Sequence, residues 1–115
     1  MTTKTTGHSG IYEMQAEICL CLANPRRLEI IAALKDGPLC STVLAKKAGI
    51  SKALASQHLA MMRDKGILTS RRDGKSVIYS LSSDKVAKAC ALMKEVLFEH
   101  MKVEQGILKK AAARR

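Results

Sequence analysis

Three groups of residues in this chain have the types and spacing to do chemistry. Lys52, Ala53, Ser56 and Gln57 fall in the run 51–66, on one side of what reads as a helix. A lysine and a short hydroxyl can hold phosphate oxygens, and a glutamine amide can donate and accept at once, which the N6 and N7 edge of adenine requires. Arg71, Arg72 and Lys75 surround Asp73-Gly74 and gather positive charge at a turn. Cys19, Cys21, Cys40 and Cys90 offer thiols, whose thiolates bind soft ions or exchange into disulfides.

The run 51–66 must be a helix for the first group to act together. Ser51 is an N-cap residue, the fourteen residues after it hold no proline or glycine, and Gly66 can take the left-handed conformation that ends a helix. Ala55, Leu59 and Met62 recur at i, i+4 and i+7, so one stripe faces a core. Lys52, Ala53, Ser56, Gln57 and Ala60 lie on the other side. That face is short, polar and free of acids until Asp64, as a helix entering the DNA major groove, about 12 Å wide, requires. An ordinary amphipathic helix would usually carry Glu and Lys there.

Charge supports a polyanionic partner. The chain has 115 residues, 20 Lys and Arg against 10 Asp and Glu, and a formal net charge of +10, so its binding should be strongly salt-dependent. At 47% hydrophobic it can bury the core of one domain, and dimerisation would help so small a core. Aromatic residues are only 3%, which argues against stacking on single-stranded bases. No apolar run approaches the roughly 20 residues of a membrane span, and the N-terminus lacks the apolar centre of a secretory signal. These features predict a cytoplasmic protein with reduced cysteines unless those cysteines are sensors.

The remaining elements position the chemistry. Residues 1–10 read as a disordered tail, 11–110 as one domain and 111–115 as a basic tail. Residues 11–23 predict a helix that is apolar nearly all round its second half, and so buried, between subunits. Asn24 caps the next helix and Pro25 takes its first position, with Leu28, Ile31 and Ala32, and Leu34 or Lys35 a turn on, expected inward. Asp36-Gly37-Pro38 stops it. Ser41 is expected to cap a short helix over 42–48, and Gly49-Ile50-Ser51 makes a glycine-bearing turn before the polar-faced helix. Short helix, turn and polar-faced helix form a helix-turn-helix pattern.

Beyond Gly66 the periodicity changes from 3.6 to 2. Residues 67–72 and 75–81 flank Asp73-Gly74, which predicts a type I′ hairpin with the three cations at its tip. A basic ribbon beside a helix-turn-helix is a wing, suited to phosphates or the adjacent minor groove. Ser82-Ser83-Asp84 then caps a long helix over 85–110, with Val86, Cys90, Met93, Leu97 and Met101 at three-to-four spacing. That stripe exceeds what one small domain can cover. It predicts pairing with the first helix of a second copy, two recognition helices roughly 34 Å apart, and a palindromic duplex site.

These motifs together resemble the ArsR/SmtB family. The likeness rests on Asn24-Pro25-Arg26-Arg27-Leu28-Glu29-Ile30-Ile31, on Leu44-Ala45 through Gly49-Ile50-Ser51, on Ser56-Gln57-His58-Leu59, and on Gly66-Ile67-Leu68 to Arg72-Asp73-Gly74-Lys75 and Tyr79. It covers about residues 13–98. Members are dimeric winged-helix repressors that leave their operators on sensing a metal or a thiol-reactive signal. The resemblance implies a mainly α fold with a two-stranded β wing, in the order α-α-α-α-β-β-α. It also implies a dimer through the first and last helices and a double-stranded operator as partner. It places Ser41, Lys52, Ala53, Ser56, Gln57, His58, Arg71, Arg72 and Lys75 at the DNA, with His58 either reaching a phosphate or standing at the core edge. Leu54 reads as a thymine-methyl contact or a surface leucine.

The sensed signal is less legible. The family's zinc-type site on the last helix would fall on Asp84, Val86, Leu97 and His100, where two residues cannot ligate, so that site is expected to be absent. The arsenic and cadmium type resembles Leu39-Cys40, but Thr42 stands where a second cysteine belongs. Cys19 and Cys21 lie about 200° apart round a helix and cannot chelate one ion together. Three readings stay open: a thiol switch pairing Cys90 with Cys19 or Cys40, a thiolate site for As(III), Cd(II) or Pb(II), and four small buried hydrophobes. No cofactor is otherwise required. A thiol enzyme would need a cysteine beside a base, and no Cys-His constellation is visible. A zinc-stabilised interaction module would unfold on chelation, whereas a repressor should be folded and bind DNA without metal.

Overall fold

The computed structural model describes residues 10–103. Residues 1–9 of the expected N-terminal tail, the expected helix beyond Val103 and the C-terminal basic tail lie outside the described residues, while Gly10, placed in that tail by the sequence, is buried at the N-cap of α1. Five helices and three strands follow in order: α1 (Ile11–Leu22), α2 (Pro25–Leu34), β1 (Leu39–Cys40), α3 (Ser41–Ala48), α4 (Lys52–Asp64), β2 (Leu68–Asp73), β3 (Ser76–Leu81) and α5 (Asp84–Val103). The winged architecture is as expected, with one addition. β1 pairs antiparallel with β3, Leu39 opposite Tyr79 and Cys40 opposite Ile78, so the sheet runs β1-β3-β2.

The core is built from the inner sides of α2, α3 and α4 closed by the wing's base. Ile30, Ile31, Leu34, Leu44, Ala55, Leu59, Met62, Ile67 and Leu68 are buried, and Tyr79 seals the sheet side. On α2 the buried stripe is Ile30, Ile31 and Leu34: Ile31 and Leu34 are as expected, but Ile30 takes the place of Leu28 and Ala32. Positions 30, 31 and 34 share one side, whereas Leu28 sits off it and stays exposed. Val86, Ala87 and Cys90 at the start of α5 pack against the same core.

Two outward faces differ from an ordinary small domain. Within α1 only Cys21 is buried, while Ile11, Tyr12, Met14, Ile18 and Leu20 are exposed. On α5, Leu92, Met93, Val96, Leu97 and Phe98 are exposed as well. The burial expected for the first helix is therefore not supplied within this chain. Among the described residues no helix is long and apolar enough to cross a membrane.

Candidate nucleic-acid interface

Each end of the helix-turn-helix is fixed by backbone bonds that the sequence dictates. Gly49 stands at φ +68, its N–H donates to the Lys46 carbonyl at 3.1 Å, and the Ile50 N–H reaches the Ala45 carbonyl at 3.0 Å. Gly66 repeats the pattern at φ +80, donating to Arg63 at 2.9 Å, while Ile67 donates to Met62 at 2.9 Å. Both are Schellman closures, in which glycine takes the left-handed position and the next apolar residue folds back onto the core. At the other end of α4 the Ser51 Oγ accepts from the Leu54 N–H at 3.1 Å. The expected cap of α3 is corrected: Cys40 precedes the helix without a side-chain cap, and Ser41 is its first residue.

So held, α4 divides as its spacing predicts. Ala55, Leu59 and Met62 are fully buried, and Lys52, Ala53, Ser56 and Gln57 are exposed together on the outer side. Leu54 is partly exposed near them. Ser41 is half-buried at the start of α3. Lys46 and Lys47, which the sequence reading passed over, are exposed in the last turn of α3. Their signal was charge alone. Between residues 41 and 76 eight cations stand against two acids, which leaves six of the chain's ten surplus positive charges in this segment.

Of the two places open to His58, the structure puts it at the core edge and not among the exposed residues of α4. It is 8% exposed, and its Nδ1 accepts from the Arg27 Nε at 3.0 Å. Desolvation first, and the neighbouring Arg27 charge second, push the imidazole below its ordinary pKa, so it sits there as a neutral acceptor. Arg27 also donates from Nη1 to the Cys21 carbonyl at 2.9 Å.

The wing is a regular ladder from Leu68↔Leu81 to Asp73↔Ser76. This register moves the turn: Gly74 and Lys75, not Asp73 and Gly74, are the two loop residues. Only Gly74 has positive φ, at +66, whereas a type I′ turn needs two such residues, so the turn is not the expected one. Arg71, Arg72 and Lys75 are all exposed at this end. Arg72 shares a ribbon face with Val77, the face that nearer the body turns Leu68 and Tyr79 into the core, whereas Arg71 lies on the opposite face. The two arginines are thus aimed apart.

The cysteines do not converge on a metal site. Cys19 is exposed beside Tyr12, Gln15, Ala16, Leu20 and Ala23 in a shallow apolar groove on α1, and Cys21 is buried, as their 200° separation requires. Cys40 and Cys90 are half-buried, and all four are free. Among the described residues no three His, Cys, Asp or Glu side chains gather as metal ligands. At the zinc-type positions Asp84 pairs with Lys88 at 3.3 Å, and Val86 packs against the core.

Known proteins share this arrangement. The sequence profile described as "Bacterial regulatory protein, arsR family" matches residues 24–70. The nodulation protein NolR of Rhizobium meliloti is 34% identical over 84 residues, spanning 73% of this chain and 69% of that protein. The HTH-type transcriptional regulator YgaV of Escherichia coli strain K12 is 35% identical over 85 residues, 73% of this chain and 86% of its own length. A homodimeric winged helix-turn-helix DNA-binding domain of Mycobacterium bovis superposes with a TM-score of 0.76 at 27% identity, covering 89% of this chain and 94% of that one. Exposed α4 side chains, a basic wing and these relatives describe a DNA-binding transcriptional regulator rather than an enzyme, and the chain belongs to the ArsR family of bacterial regulatory proteins.

Proposed function

We propose that this protein is a dimeric cytoplasmic repressor that binds a palindromic operator and is released by a signal its cysteines sense. The observation that carries the DNA reading is the sidedness of α4. Its apolar stripe is fully buried, while Lys52, Ala53, Ser56 and Gln57 are exposed together without an acid among them. Gln57 reads a base edge, Lys52 and Ser56 hold phosphates or bases, and Ser41 offers its hydroxyl to a phosphate. Arg71, Arg72 and Lys75 engage the flanking backbone or minor groove, with one arginine on each face of the ribbon.

Dimerisation is supported by the uncovered apolar residues of α1 and α5, whose exposure in a lone chain is costly. The relative from Mycobacterium bovis is homodimeric. A palindromic site follows from a two-fold pair. The test is sedimentation of the full chain alone and with a duplex enriched by it from a random-sequence library. A dimer with a two-fold symmetric footprint on that duplex is expected, and a monomer that enriches nothing overturns the reading.

For the signal, the reading favoured is a thiol switch. Two thiols pass two electrons and two protons to a peroxide or polysulfide and become a disulfide, Cys90 pairing with Cys19 or Cys40 across or within protomers. The dispersal of the four cysteines within one chain, with no three-ligand cluster among the described residues, weighs against a thiolate site for As(III), Cd(II) or Pb(II) in a single protomer. Titrating the DNA complex with peroxide and, separately, with As(III) separates the two readings. Release by the oxidant alone supports the switch, and release by As(III) alone overturns it.

A further inference from the structure

The Arg27 guanidinium occupies a place that the DNA surface does not use. It stands in the first turn of α2, where the Asn24 Oδ1 accepts from its backbone N–H at 3.2 Å. From there its Nη1 donates to the Cys21 carbonyl in the last turn of α1, and its Nε donates to His58 Nδ1 in the middle of α4. Carbonyls in the last turn of a helix lack an intrahelical partner, so the guanidinium satisfies one at the end of α1. The planar fork holds both acceptors at one fixed separation, which a lysine ammonium on its flexible stem cannot do.

We infer that Arg27 and His58 are positioning residues for sequence reading: their hydrogen bond sets the rotation of α4 relative to α1, and hence where Gln57 and Ser56 meet the duplex. This rests on the proposed dimeric operator-binding reading, in which α1 belongs to the subunit contact. Gln57 and Ser56 are both exposed, Ser56 about 200° and Gln57 about 100° round α4 from His58. With side chains a helix is about 10–12 Å across, so turning α4 by roughly 20° displaces its outer atoms by about 2 Å. Hydrogen bonds to base edges do not survive that shift, whereas phosphate contacts from flexible lysines do. The other link between α1 and the end of α4, Glu17 to Lys65 at 3.4 Å, is solvent-exposed and holds the helices only weakly.

The test uses the full chain and a duplex enriched by the native protein from a random-sequence library, with a scrambled duplex of the same composition as control. His58→Asn and His58→Leu have the same number of side-chain heavy atoms, branched at Cγ, and both remove the ring. Only asparagine keeps an acceptor where Nδ1 stood. His58→Leu and Arg27→Lys are expected to lose about tenfold on the enriched duplex, the loss of one charge-assisted hydrogen bond, and less than about twofold on the scrambled one. His58→Asn is expected to stay within about threefold of the native chain on both. Equal behaviour of the asparagine and leucine variants overturns the inference, as does a loss by Arg27→Lys that is the same on both duplexes. Should His58→Leu not unfold cooperatively, Arg27→Lys against His58→Asn decides alone: parting in preference supports the bridge, and matching overturns it. If the native chain enriches no duplex, it is the operator-binding reading that has failed.

Discussion

The Ser82 hydroxyl donates to the Gly66 carbonyl at 2.6 Å and lies 3.0 Å from that of Ile67, while the Ser82 N–H donates to Ile67 at 3.0 Å. One residue after the wing thereby grips the turn that ends α4. The base of the ribbon, the end of α4 and the start of α5 meet at this point.

Replacing Ser82 with alanine should lower stability by about 0.5–1.5 kcal/mol, the net value of one such hydrogen bond. Urea unfolding followed by circular dichroism measures it. A midpoint unchanged from the native chain would show that the backbone bond from Ser82 suffices.

The outer face of α4 and the wing should separate in their effects on DNA. Gln57→Ala is expected to lose preference for the enriched duplex over a scrambled one, by about 1–3 kcal/mol of discrimination. Arg72→Ala should weaken both duplexes alike and reduce the salt slope by about 1. Binding isotherms across a salt series distinguish them, and equal losses on both duplexes for Gln57→Ala would contradict its role.

His58 should leave a signature in the pH dependence of stability. Burial, and after it Arg27, hold the folded imidazole below the ordinary value of 6.5. Above that value neither state carries the proton, and the group contributes no slope. As pH falls below it, the unfolded chain takes up a proton that the native state refuses, so stability declines until the native imidazole is protonated as well. The His58→Asn chain should show a shallower decline over the same range of denaturation midpoints. An identical slope would mean that His58 titrates alike in both states.

The helix itself should respond to its cap and its stripe by different amounts. Ser51→Ala removes the oxygen that accepts from Leu54 and should cost about 1 kcal/mol. Leu59→Ala opens a void at a fully buried position and should cost about 2–5 kcal/mol. Thermal unfolding ranks the two, and a reversed order would place Leu59 outside the core.

Cys90 is a poor first nucleophile. Burial pushes its thiol up, and Lys94 draws it only partly back. Peptide-level alkylation should therefore find it slow at neutral pH and faster as pH rises past 9.0, the ordinary value. In a thiol switch its part is to close a bridge opened at another cysteine. Cys90→Ser should then hold DNA in oxidant that releases the native protein, and normal release from that variant would leave Cys90 as packing.

How legible the fold was depended on how local each signal is. Ser51, Gly66 and the stripe Ala55, Leu59 and Met62 lie within one helix length, and α4 could be read with both ends. β1 could not, because two residues have no period and their partners Tyr79 and Ile78 lie some forty positions away. The turn shifted by one residue because Asp73-Gly74 and Gly74-Lys75 both satisfy a glycine-bearing hairpin, and cross-strand pairing decides between them. His58 turned inward for a partner 31 residues distant, a bond that no periodicity announces. On α2, where the residues from Leu28 to Leu34 are almost all apolar, the stripe could be drawn on more than one side, and only packing chose Ile30.

The short strand β1 carries one more implication. Two backbone pairings stitch the threshold of α3 to the ribbon, Cys40 lying within the seam opposite Ile78. A ribbon tethered in this way is no free flap. In the proposed repressor, wing and α3 would then leave a duplex as one piece, and a covalent change at Cys40 would fall on the thread that joins the two.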